Sequence, residues 1–299
     1  MTVLVTGAWQ NASNYFDEII CLGHEVVFMQ NEKDELPVPY DSVDAVICNG
    51  LFLYHPIEKF SSLRYIQLTS AGYDRVPMDY VREKGIAIFN AGGVYSIPMA
   101  EFAVAGVLTL LKEIRFFSAN QKLNNWEKHR SLIELFDKTV CIVGCGNVGT
   151  ECAIRFNAFG CHVIGVDAFP RKDNHYKKMY PVEQLHTALK ESEIVVLTLP
   201  LTDETYHLID SNAFNAMKDG TILVNIARGA VIDSEALTNS LSNKLRGAVL
   251  DVFEQEPLDK NSPLWNMENV ILTPHNSYVG NGNSERLRKK IINNLENYK

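Results

Sequence analysis

Four polar side chains that could do chemistry follow apolar runs in the second half of the 299-residue sequence: Arg228, Asp251, Glu256 and His275. A histidine can donate or accept a proton near neutral pH, and a neighbouring carboxylate favours its protonated form. A guanidinium binds a carboxylate through two parallel hydrogen bonds and can polarise a carbonyl. Reduction of a 2-keto acid requires these functions: an anchor for the carboxylate, a group that polarises the carbonyl, and a general acid.

A glycine-rich segment, Gly144-Cys145-Gly146-Asn147-Val148-Gly149, directly follows the apolar run Thr139–Val143 and begins a stretch with helical periodicity. In such a turn the first glycine permits the sharp bend, the second admits a pyrophosphate, and the third lets helix pack on strand. The next apolar run ends at Asp167, whose carboxylate can accept from both ribose hydroxyls and repels a 2′-phosphate. The pattern predicts a dinucleotide site that prefers NAD to NADP. Arg171 and Lys172 either soften that preference or are ordinary solvated loop charges.

Short β-branched runs alternate with helical segments along the whole sequence, which predicts parallel sheets built from βαβ units. One series of runs lies at Val3–Thr6, Glu25–Phe28, Ala45–Cys48, Tyr65–Leu68 and Gly85–Asn90. A second lies at Thr139–Val143, Cys161–Val166, Ile194–Thr198, Thr221–Asn225, Ala248–Val252 and Val270–Leu272. We therefore expect two α/β lobes joined by a helix over Ser96–Lys112, with a ligand between the lobes.

Composition and charge narrow the range of partners. The formal net charge of -8 argues against nucleic acid. The N-terminus enters a strand-like run at once, without the features of a signal peptide, which predicts a cytoplasmic protein. The apolar stretch Phe102–Leu111 is well short of the ~20 residues that span a bilayer, so no membrane partner is expected. Six cysteines without a CxxC pair suggest reduced thiols and no metal site.

These motifs, in this order, resemble those of the D-isomer specific 2-hydroxyacid dehydrogenase family, which includes D-lactate, glycerate and 3-phosphoglycerate dehydrogenases. The resemblance covers nearly the whole chain and includes Thr69–Asp74, Gly85–Asn90 and Met99–Glu101. It implies an oxidoreductase that interconverts a small D-2-hydroxy acid and its 2-keto acid with NAD(H).

Carried over residue by residue, the resemblance makes His275 the general acid/base, Glu256 its carboxylate partner, and Arg228 the group that binds the substrate carboxylate and polarises the carbonyl. The backbone of Ala71 and Gly72 would contact the same carboxylate. Further cofactor contacts are implied for Leu199, Pro200, Thr205, Ile226, Ala227 and Arg228, with Asp251 near the nicotinamide amide.

Two positions leave alternatives at this stage. Glu254 is a competing carboxylate two residues before Glu256, and Pro257, which directly follows, favours Glu256. The remaining histidines lack a comparable setting, although the loop of His55 follows a first-lobe strand and could shape a substrate pocket.

The resemblance also implies the domain organisation. Residues 1–93, completed by 276–299, would form a flavodoxin-like substrate lobe, and residues 94–275 an NAD-binding Rossmann lobe. The crossover helix and the segment after it commonly form a dimer in this family, and the apolar run Phe102–Leu111 is consistent with a homodimer.

Differences from the family pattern, and two alternative functions on the same fold, bear on the predicted activity. The family often has a small residue and a glycine soon after the histidine, whereas this chain continues His275-Asn276-Ser277. No basic cluster for a substrate phosphate is evident, which favours a small unphosphorylated acid. Formate dehydrogenases, which resemble this family, carry glutamine where Glu256 stands. A corepressor-like module that senses NADH on the same fold, with little turnover, remains the alternative.

Overall fold

The computed structural model describes residues 1–298, which divide into two units: residues 1–95 together with 280–298, and residues 96–279. The sequence prediction placed these boundaries two and four residues earlier, at 93 and 275. The second difference has a physical reason, because the backbone amides of Asn276 and Ser277 donate to the buried carboxylate of Asp251 and so hold this segment in the second unit.

The described part of the chain forms two sheets. The strands of the first unit are Thr2–Thr6 (β1), Glu25–Met29 (β2), Ala45–Cys48 (β3), Tyr65–Leu68 (β4) and Ala87–Phe89 (β5). The strands of the second are Thr139–Val143 (β6), His162–Asp167 (β7), Lys178–Pro181 (β8), Ile194–Leu197 (β9), Ile222–Asn225 (β10), Gly247–Leu250 (β11) and Val270–Leu272 (β12). Every pairing among them is parallel.

The order of the strands confirms the α/β fold with two parallel sheets. The first sheet runs β2-β1-β3-β4-β5, the flavodoxin-like order, and the second runs β12-β11-β10-β9-β6-β7-β8. In the second sheet the direction of winding reverses between β6 and β9, whose register pairs Val143 with Leu197. Open α/β sheets bind ligands beyond the carboxyl ends of the strands at such a reversal.

The helices of the described residues lie between and after these strands. They are Phe16–Cys21 (α1), Met78–Lys84 (α2), Ser96–Leu111 (α3), Ile114–Lys122 (α4), Asn147–Ala158 (α5), Leu185–Glu191 (α6), Ser211–Ala216 (α7), Ser234–Asn243 (α8) and Asn283–Asn297 (α9). None of them is long and apolar enough to cross a membrane.

The C-terminal helix α9 belongs to the core of the first unit. Its apolar residues recur every fourth position, at Leu287, Ile291 and Leu295, and so line one face of the helix. All three are buried in one cluster with Val3 and Val5 of β1. The end of the chain is therefore part of the packing of the five-stranded sheet.

The crossover helix α3 packs within the second unit. Most of its residues are buried, and it shares a core cluster with α5 and with strand residues that include Val249. A Cβ atom on Gly106 would lie 2.7 Å from Cγ1 of Val249, so this glycine allows the helix to approach β11 closely. Contacts inside this unit therefore account for much of the apolar run Phe102–Leu111.

Candidate active site

The residues singled out in the second half of the sequence lie at one edge of the seven-stranded sheet, because each lies at or just after the carboxyl end of a strand. Gly144 follows β6, Asp167 ends β7, Leu199 follows β9, Arg228 follows β10, Asp251 follows β11, and His275 follows β12. Since all seven strands are parallel, their carboxyl ends share this edge.

The glycine turn after β6 brings backbone segments closer than side chains would allow. A Cβ atom on Gly144, which has φ 94°, would lie 2.6 Å from the backbone of Leu199. One on Gly149 would lie 2.3 Å from the carbonyl oxygen of Gly144. At Gly146 the space is open, with no atom within 4 Å of a Cβ position. The first and third glycines serve packing, and the second faces free space.

Helix α5 begins directly after this turn with its N-terminus open. Asn147 is its first residue and Gly146 its N-cap, and no side chain caps the free amides of the first turn. Those amides and the positive end of the helix dipole favour a bound anion. Together with the open space at Gly146, this end of the helix fits the pyrophosphate of a dinucleotide.

The carboxylate of Asp167 lies beside the glycine turn. Its Oδ2 accepts from the backbone amide of Cys145 at 2.7 Å, and its Oδ1 accepts from the amide of Phe169 at 2.9 Å. Each carboxylate oxygen has a second lone pair that can accept from a ribose hydroxyl. The position and chemistry of Asp167 therefore fit the adenosine ribose of the dinucleotide.

The loop after β9 is held by internal hydrogen bonds and lies next to the glycine turn. Thr205 Oγ1 donates to the carbonyl of Pro200 at 2.7 Å and accepts from the amide of Thr202 at 2.7 Å. Thr198 Oγ1 donates to the carbonyl of Gly144 at 2.6 Å. The predicted cofactor residues Leu199, Pro200 and Thr205 are thus held in one loop that contacts the turn.

The turn that carries Arg228 is held by an asparagine that the sequence analysis did not single out. Asn225, at the end of β10, accepts from the amide of Ala227 at 3.0 Å through Oδ1 and donates to the carbonyl of Arg228 at 3.0 Å through Nδ2. Asn225, Ile226 and Ala227 are buried, and Arg228 is half-buried. Nη1 of Arg228 donates to the carbonyl of Ala227 at 2.8 Å.

Gly229 brings this turn into contact with the segment after β11. A Cβ atom on Gly229 would lie 1.8 Å from the carbonyl carbon of Phe253, so only glycine permits this contact without displacement of the backbone. The amide of Phe253 in turn donates to Oε1 of Glu256 at 3.1 Å. The loops that carry Arg228 and Glu256 are therefore in direct contact.

His275 and Glu256 form a pair. Nδ1 of His275 lies 2.9 Å from Oε2 of Glu256, and both side chains are partly exposed. The backbone of His275 is left-handed, with φ 50°, and its amide donates to the carbonyl of Asp251 at 2.8 Å. An ionised carboxylate only accepts, so Nδ1 is the donor in this pair and Nε2 is the ring atom that can exchange a proton.

The competing carboxylate, Glu254, has different partners. Its Oε1 accepts from the amide and the hydroxyl of Ser234 at 2.9 and 2.6 Å, and its Oε2 lies 3.3 Å from Nε2 of His207. Burial raises the pKa of Glu254, but the contacts with Ser234 and His207 outweigh burial and hold the pKa below its usual range. Glu256 is thus the carboxylate that meets His275, whereas Glu254 meets His207.

Asp251 is buried and organises the segment that carries His275. Its Oδ1 accepts from Thr273 Oγ1 at 2.6 Å and from the amide of Asn276 at 2.7 Å, and its Oδ2 accepts from the amide of Ser277 at 3.0 Å. One carboxylate therefore ties down the chain on both sides of His275. The resemblance implies a position for Asp251 near the nicotinamide amide, and in the structure its carboxylate binds these three donors.

In the first unit, Ala71 and Gly72 lie in the loop after β4. Nδ2 of Asn90 donates to the carbonyl of Ala71 at 2.7 Å, and Oδ1 of Asn90 accepts from the amide of Gly92 at 3.0 Å. Tyr95 adds a hydrogen bond from its hydroxyl to the carbonyl of Thr69. Asn90 was noted only as the end of a strand, yet its amide fixes the loop that carries both predicted substrate residues.

His55 has a structural role within the first unit. Its side chain is buried, with Nδ1 2.9 Å from the hydroxyl of Tyr40 and Nε2 3.0 Å from the carbonyl oxygen of Glu32. A carbonyl only accepts, so Nε2 carries a proton and the tyrosine hydroxyl can donate to Nδ1. Both ring nitrogens are used in packing this loop.

Comparison with known proteins agrees with this geometry. The family model for the NAD binding domain of D-isomer specific 2-hydroxyacid dehydrogenases matches residues 104–277. A hydroxypyruvate reductase of Thermotoga maritima is 36% identical over 282 residues, which are 91% of this chain and 89% of that protein. A D-3-phosphoglycerate dehydrogenase of Methanocaldococcus jannaschii is 36% identical over 222 residues, which are 73% of this chain but only 42% of that protein. The chain therefore spans less than half the length of this second relative.

A solved structure supports the same assignment. D-lactate dehydrogenase of Aquifex aeolicus, complexed with NAD and lactic acid, is similar with a TM-score of 0.79 and 28% identity, over 98% of this chain and 94% of that one. The resemblance drawn from the motifs is thus confirmed. The chain belongs to the D-isomer specific 2-hydroxyacid dehydrogenase family and is an NAD-dependent oxidoreductase that interconverts a 2-hydroxy acid and its 2-keto acid by hydride transfer.

Proposed function

We propose that His275, Glu256 and Arg228 are the catalytic residues of this hydride transfer and that the substrate is a small unphosphorylated D-2-hydroxy acid. The observation that carries the proposal is the 2.9 Å contact between His275 Nδ1 and Glu256 Oε2 at the sheet edge that also holds the open glycine turn. A proton-transfer pair and a dinucleotide cradle at one edge are what keto-acid reduction requires.

The proposed roles follow from the chemistry of each side chain. NADH, when bound, supplies a hydride for C2 of the keto acid. Nε2 of His275 donates the proton that the developing alkoxide takes up, so hydride and proton together give the alcohol. Glu256 holds the ring through Nδ1 and stabilises the imidazolium before the proton leaves. Arg228 binds the substrate carboxylate and polarises the carbonyl.

Other residues are proposed to bind rather than to react. The free amides at Gly146, Asn147 and Val148 would hold the pyrophosphate, and Asp167 the ribose hydroxyls. The remaining proposed cofactor contacts are Gly144, Gly149, Leu199, Pro200, Thr205, Ile226, Ala227 and Asp251. In the first unit, residues 1–95 and 280–298, the backbone of Ala71 and Gly72 would bind the substrate carboxylate, which makes this the substrate domain and residues 96–279 the NAD domain.

The basic residues of the proposed substrate loops favour an unphosphorylated acid. The segments 69–74, 225–231, 251–257 and 273–278 together contain one arginine, Arg228, and no lysine, and the exposed Arg75 directly follows the first of them. The guanidinium of Arg228 is already assigned to the substrate carboxylate. A second anion on the substrate would therefore need a cation from elsewhere, and we expect glyoxylate, pyruvate or hydroxypyruvate to be better substrates than a phosphorylated keto acid.

We also propose a homodimer, supported by exposed apolar side chains after the crossover helix. Leu123 and Trp126 are 76% and 95% exposed. Further exposed apolar residues of this segment are Ile114, Phe117, Leu132 and Phe136. Exposed apolar side chains of this kind are typical of a surface covered by a partner, and a second copy would bury them. Light scattering should give a dimer for the wild type and a monomer for Leu123→Ser with Trp126→Ser, whereas a monomeric wild type would contradict the proposal.

A cytoplasmic location is proposed on the state of the thiols. All six cysteines are free, and five of them are buried. Free thiols are usual in a reducing compartment. Fractionation of the native cells, with the protein detected by antibody, should place it in the cytoplasmic fraction, and recovery outside that fraction would contradict the proposal.

A panel of 2-keto acids with NADH tests the function. We expect the wild type to oxidise NADH with at least one of glyoxylate, pyruvate, hydroxypyruvate and branched 2-keto acids. His275→Gln should lower kcat by about 10²–10⁴-fold, the usual contribution of a general acid. His162→Gln is the matched control, because His162 also pairs with a carboxylate, Asp137, at 2.7 Å, but at the amino end of β7, away from the carboxyl edge of the sheet.

Two results would contradict the proposal. Equal turnover by the wild type and His275→Gln would remove His275 from the mechanism. Tight binding of NADH without turnover of any acid would favour the alternative, an NADH-sensing binding protein. The binding measurement is therefore made on the same preparation as the kinetics.

A further inference from the structure

We infer that Arg171 makes the dinucleotide site permissive for a 2′-phosphate, so that this chain binds NADPH as well as NADH. Asp167 alone would repel the additional phosphate. Arg171 supplies a positive charge beside the carboxylate of Asp167. The inference rests on the proposed assignment of the glycine turn as the dinucleotide site.

Both backbone polar groups of Cys145, in the middle of the glycine turn, are held by charged side chains of the next loop. The amide of Cys145 donates to Oδ2 of Asp167 at 2.7 Å, and its carbonyl accepts from Nη2 of Arg171 at 2.6 Å. A carboxylate and a guanidinium therefore flank a single residue of the turn. The 2′ position of a ribose bound by Asp167 would lie next to a positive charge.

The thiol of Cys145 points away from this surface. A Cβ atom on Gly165 would lie 2.5 Å from its Sγ, which places the sulfur against β7 inside the core. Burial raises the pKa of this thiol to about 12. The side chain of Cys145 is thus packed internally, whereas its backbone amide and carbonyl bind the side chains of Asp167 and Arg171.

The guanidinium of Arg171 is positioned before any ligand binds. Its Nη2 also lies 3.6 Å from Oδ2 of Asp173, and its backbone amide contacts the sulfur of Met179 at 3.4 Å. The Arg171 side chain is nevertheless 48% exposed. A guanidinium has five N–H donors, and the contacts with Cys145 and Asp173 both use Nη2, which leaves the N–H groups of Nη1 and Nε for phosphate oxygens.

The alternative role for Arg171 is a brace for the glycine turn. In that case the hydrogen bond to Cys145 would support any dinucleotide equally. A 2′-phosphate site instead requires a selective effect, because the interaction exists only with NADPH. A partly exposed charge pair contributes about 1 kcal/mol, which corresponds to a change in affinity of about fivefold.

Calorimetric titration separates the two roles without measuring turnover. The ligands are NADH, NADPH and their adenosine halves, 5′-AMP and 2′,5′-ADP. Each is titrated into the wild type, Arg171→Gln, Arg171→Lys and Lys172→Gln. We expect the wild type to bind NADPH within about tenfold of NADH. Arg171→Gln should lower the affinity ratio of NADPH to NADH, and of 2′,5′-ADP to 5′-AMP, by about fivefold. Arg171→Lys should keep most of the ratio, and Lys172→Gln, which removes the neighbouring exposed charge, should leave it unchanged.

Each contrary result has a distinct meaning. An equal loss of NADH and NADPH affinity in Arg171→Gln would identify a brace and overturn the inference. So would a wild type that binds NADH but no NADPH, and in both cases the dinucleotide site itself would stand. Failure of the wild type to bind NADH would overturn the proposed function together with this inference.

Discussion

Nδ1 of His275 lies 2.9 Å from Oε2 of Glu256, and two residues earlier the carboxylate of Glu254 binds Ser234 and lies against His207. One short loop thus supplies carboxylates to two histidines. The same substitution at each position tests which of the two carboxylates acts in catalysis.

Glu256→Gln should lower kcat for keto-acid reduction by about 10- to 100-fold, with little change in the Kd for NADH. The amide cannot stabilise an imidazolium as a carboxylate does, and it can donate to Nδ1 and so favour the wrong tautomer. Glu254→Gln is the matched control and should change kcat by less than about threefold. A larger loss of kcat in the control than in Glu256→Gln would reverse the two assignments.

Glu254 predicts a pH-dependent stability. Its folded pKa is below the usual value, so its ionised form stabilises the fold above the unfolded pKa, and this contribution is lost as the pH falls through the folded pKa. The Tm of the wild type should therefore exceed that of Glu254→Gln at pH 7, and the difference should shrink towards pH 3. A Tm difference that grows on acidification would show that Glu254 does not have a lowered pKa in the folded protein.

Asp251 is predicted to be a positioning residue for His275. Asp251→Asn replaces one acceptor oxygen by a donor, so at least one of its contacts with Thr273, Asn276 and Ser277 is lost. Displacement of His275 should lower kcat by about 10- to 100-fold. The keto-acid KM should change much less, and this difference separates positioning from general unfolding.

Thr273→Val serves as the graded control for Asp251. It removes only the hydroxyl donor and leaves both backbone contacts of the carboxylate in place. Its kcat should lie between those of the wild type and Asp251→Asn. Full kcat in Asp251→Asn, measured on protein with a normal circular dichroism spectrum, would refute the positioning role.

Asn90 is predicted to act on substrate affinity. Asn90→Ala removes the donor to the carbonyl of Ala71 and the acceptor for the amide of Gly92, so the substrate loop loses its bridge. We expect the keto-acid KM to rise about tenfold while the Kd for NADH stays the same. Asn31→Ala, which removes an exposed contact with Asp34, is the control. A change confined to NADH binding would contradict the role of Asn90.

Sequence patterns were sufficient where burial and turn chemistry act locally. The run Thr139–Val143 is buried and precedes glycines that a close backbone approach requires, so both the strand and the turn could be predicted. His275 was singled out because it follows a predicted strand and matches the family pattern, and the structure places it beside Glu256. Its partner required a choice between two carboxylates, which depended on the fold of one loop.

Other features arise only from tertiary contacts. Strand β8 was missed because it lies at the edge of the sheet and, of its four residues, only Tyr180 is buried. Asparagine is common in turns, so nothing in the sequence distinguished Asn225 or Asn90 as residues that hold the loops of the proposed site. The crossover helix is apolar on most sides, and the sequence could not show that its contacts, including Gly106 on Val249, lie largely within its own unit.

Transfer of deuterium from NADH that carries deuterium at both C4 positions tests the central claim most directly. The wild type is given the best keto acid of the panel that yields a chiral product, such as pyruvate or hydroxypyruvate, and the product is analysed by chiral chromatography with mass spectrometry. We predict a D-2-hydroxy acid with one deuterium at C2, formed about 10²–10⁴-fold more slowly by His275→Gln. A product of the L configuration, a product without deuterium, or undiminished formation by His275→Gln would contradict this account.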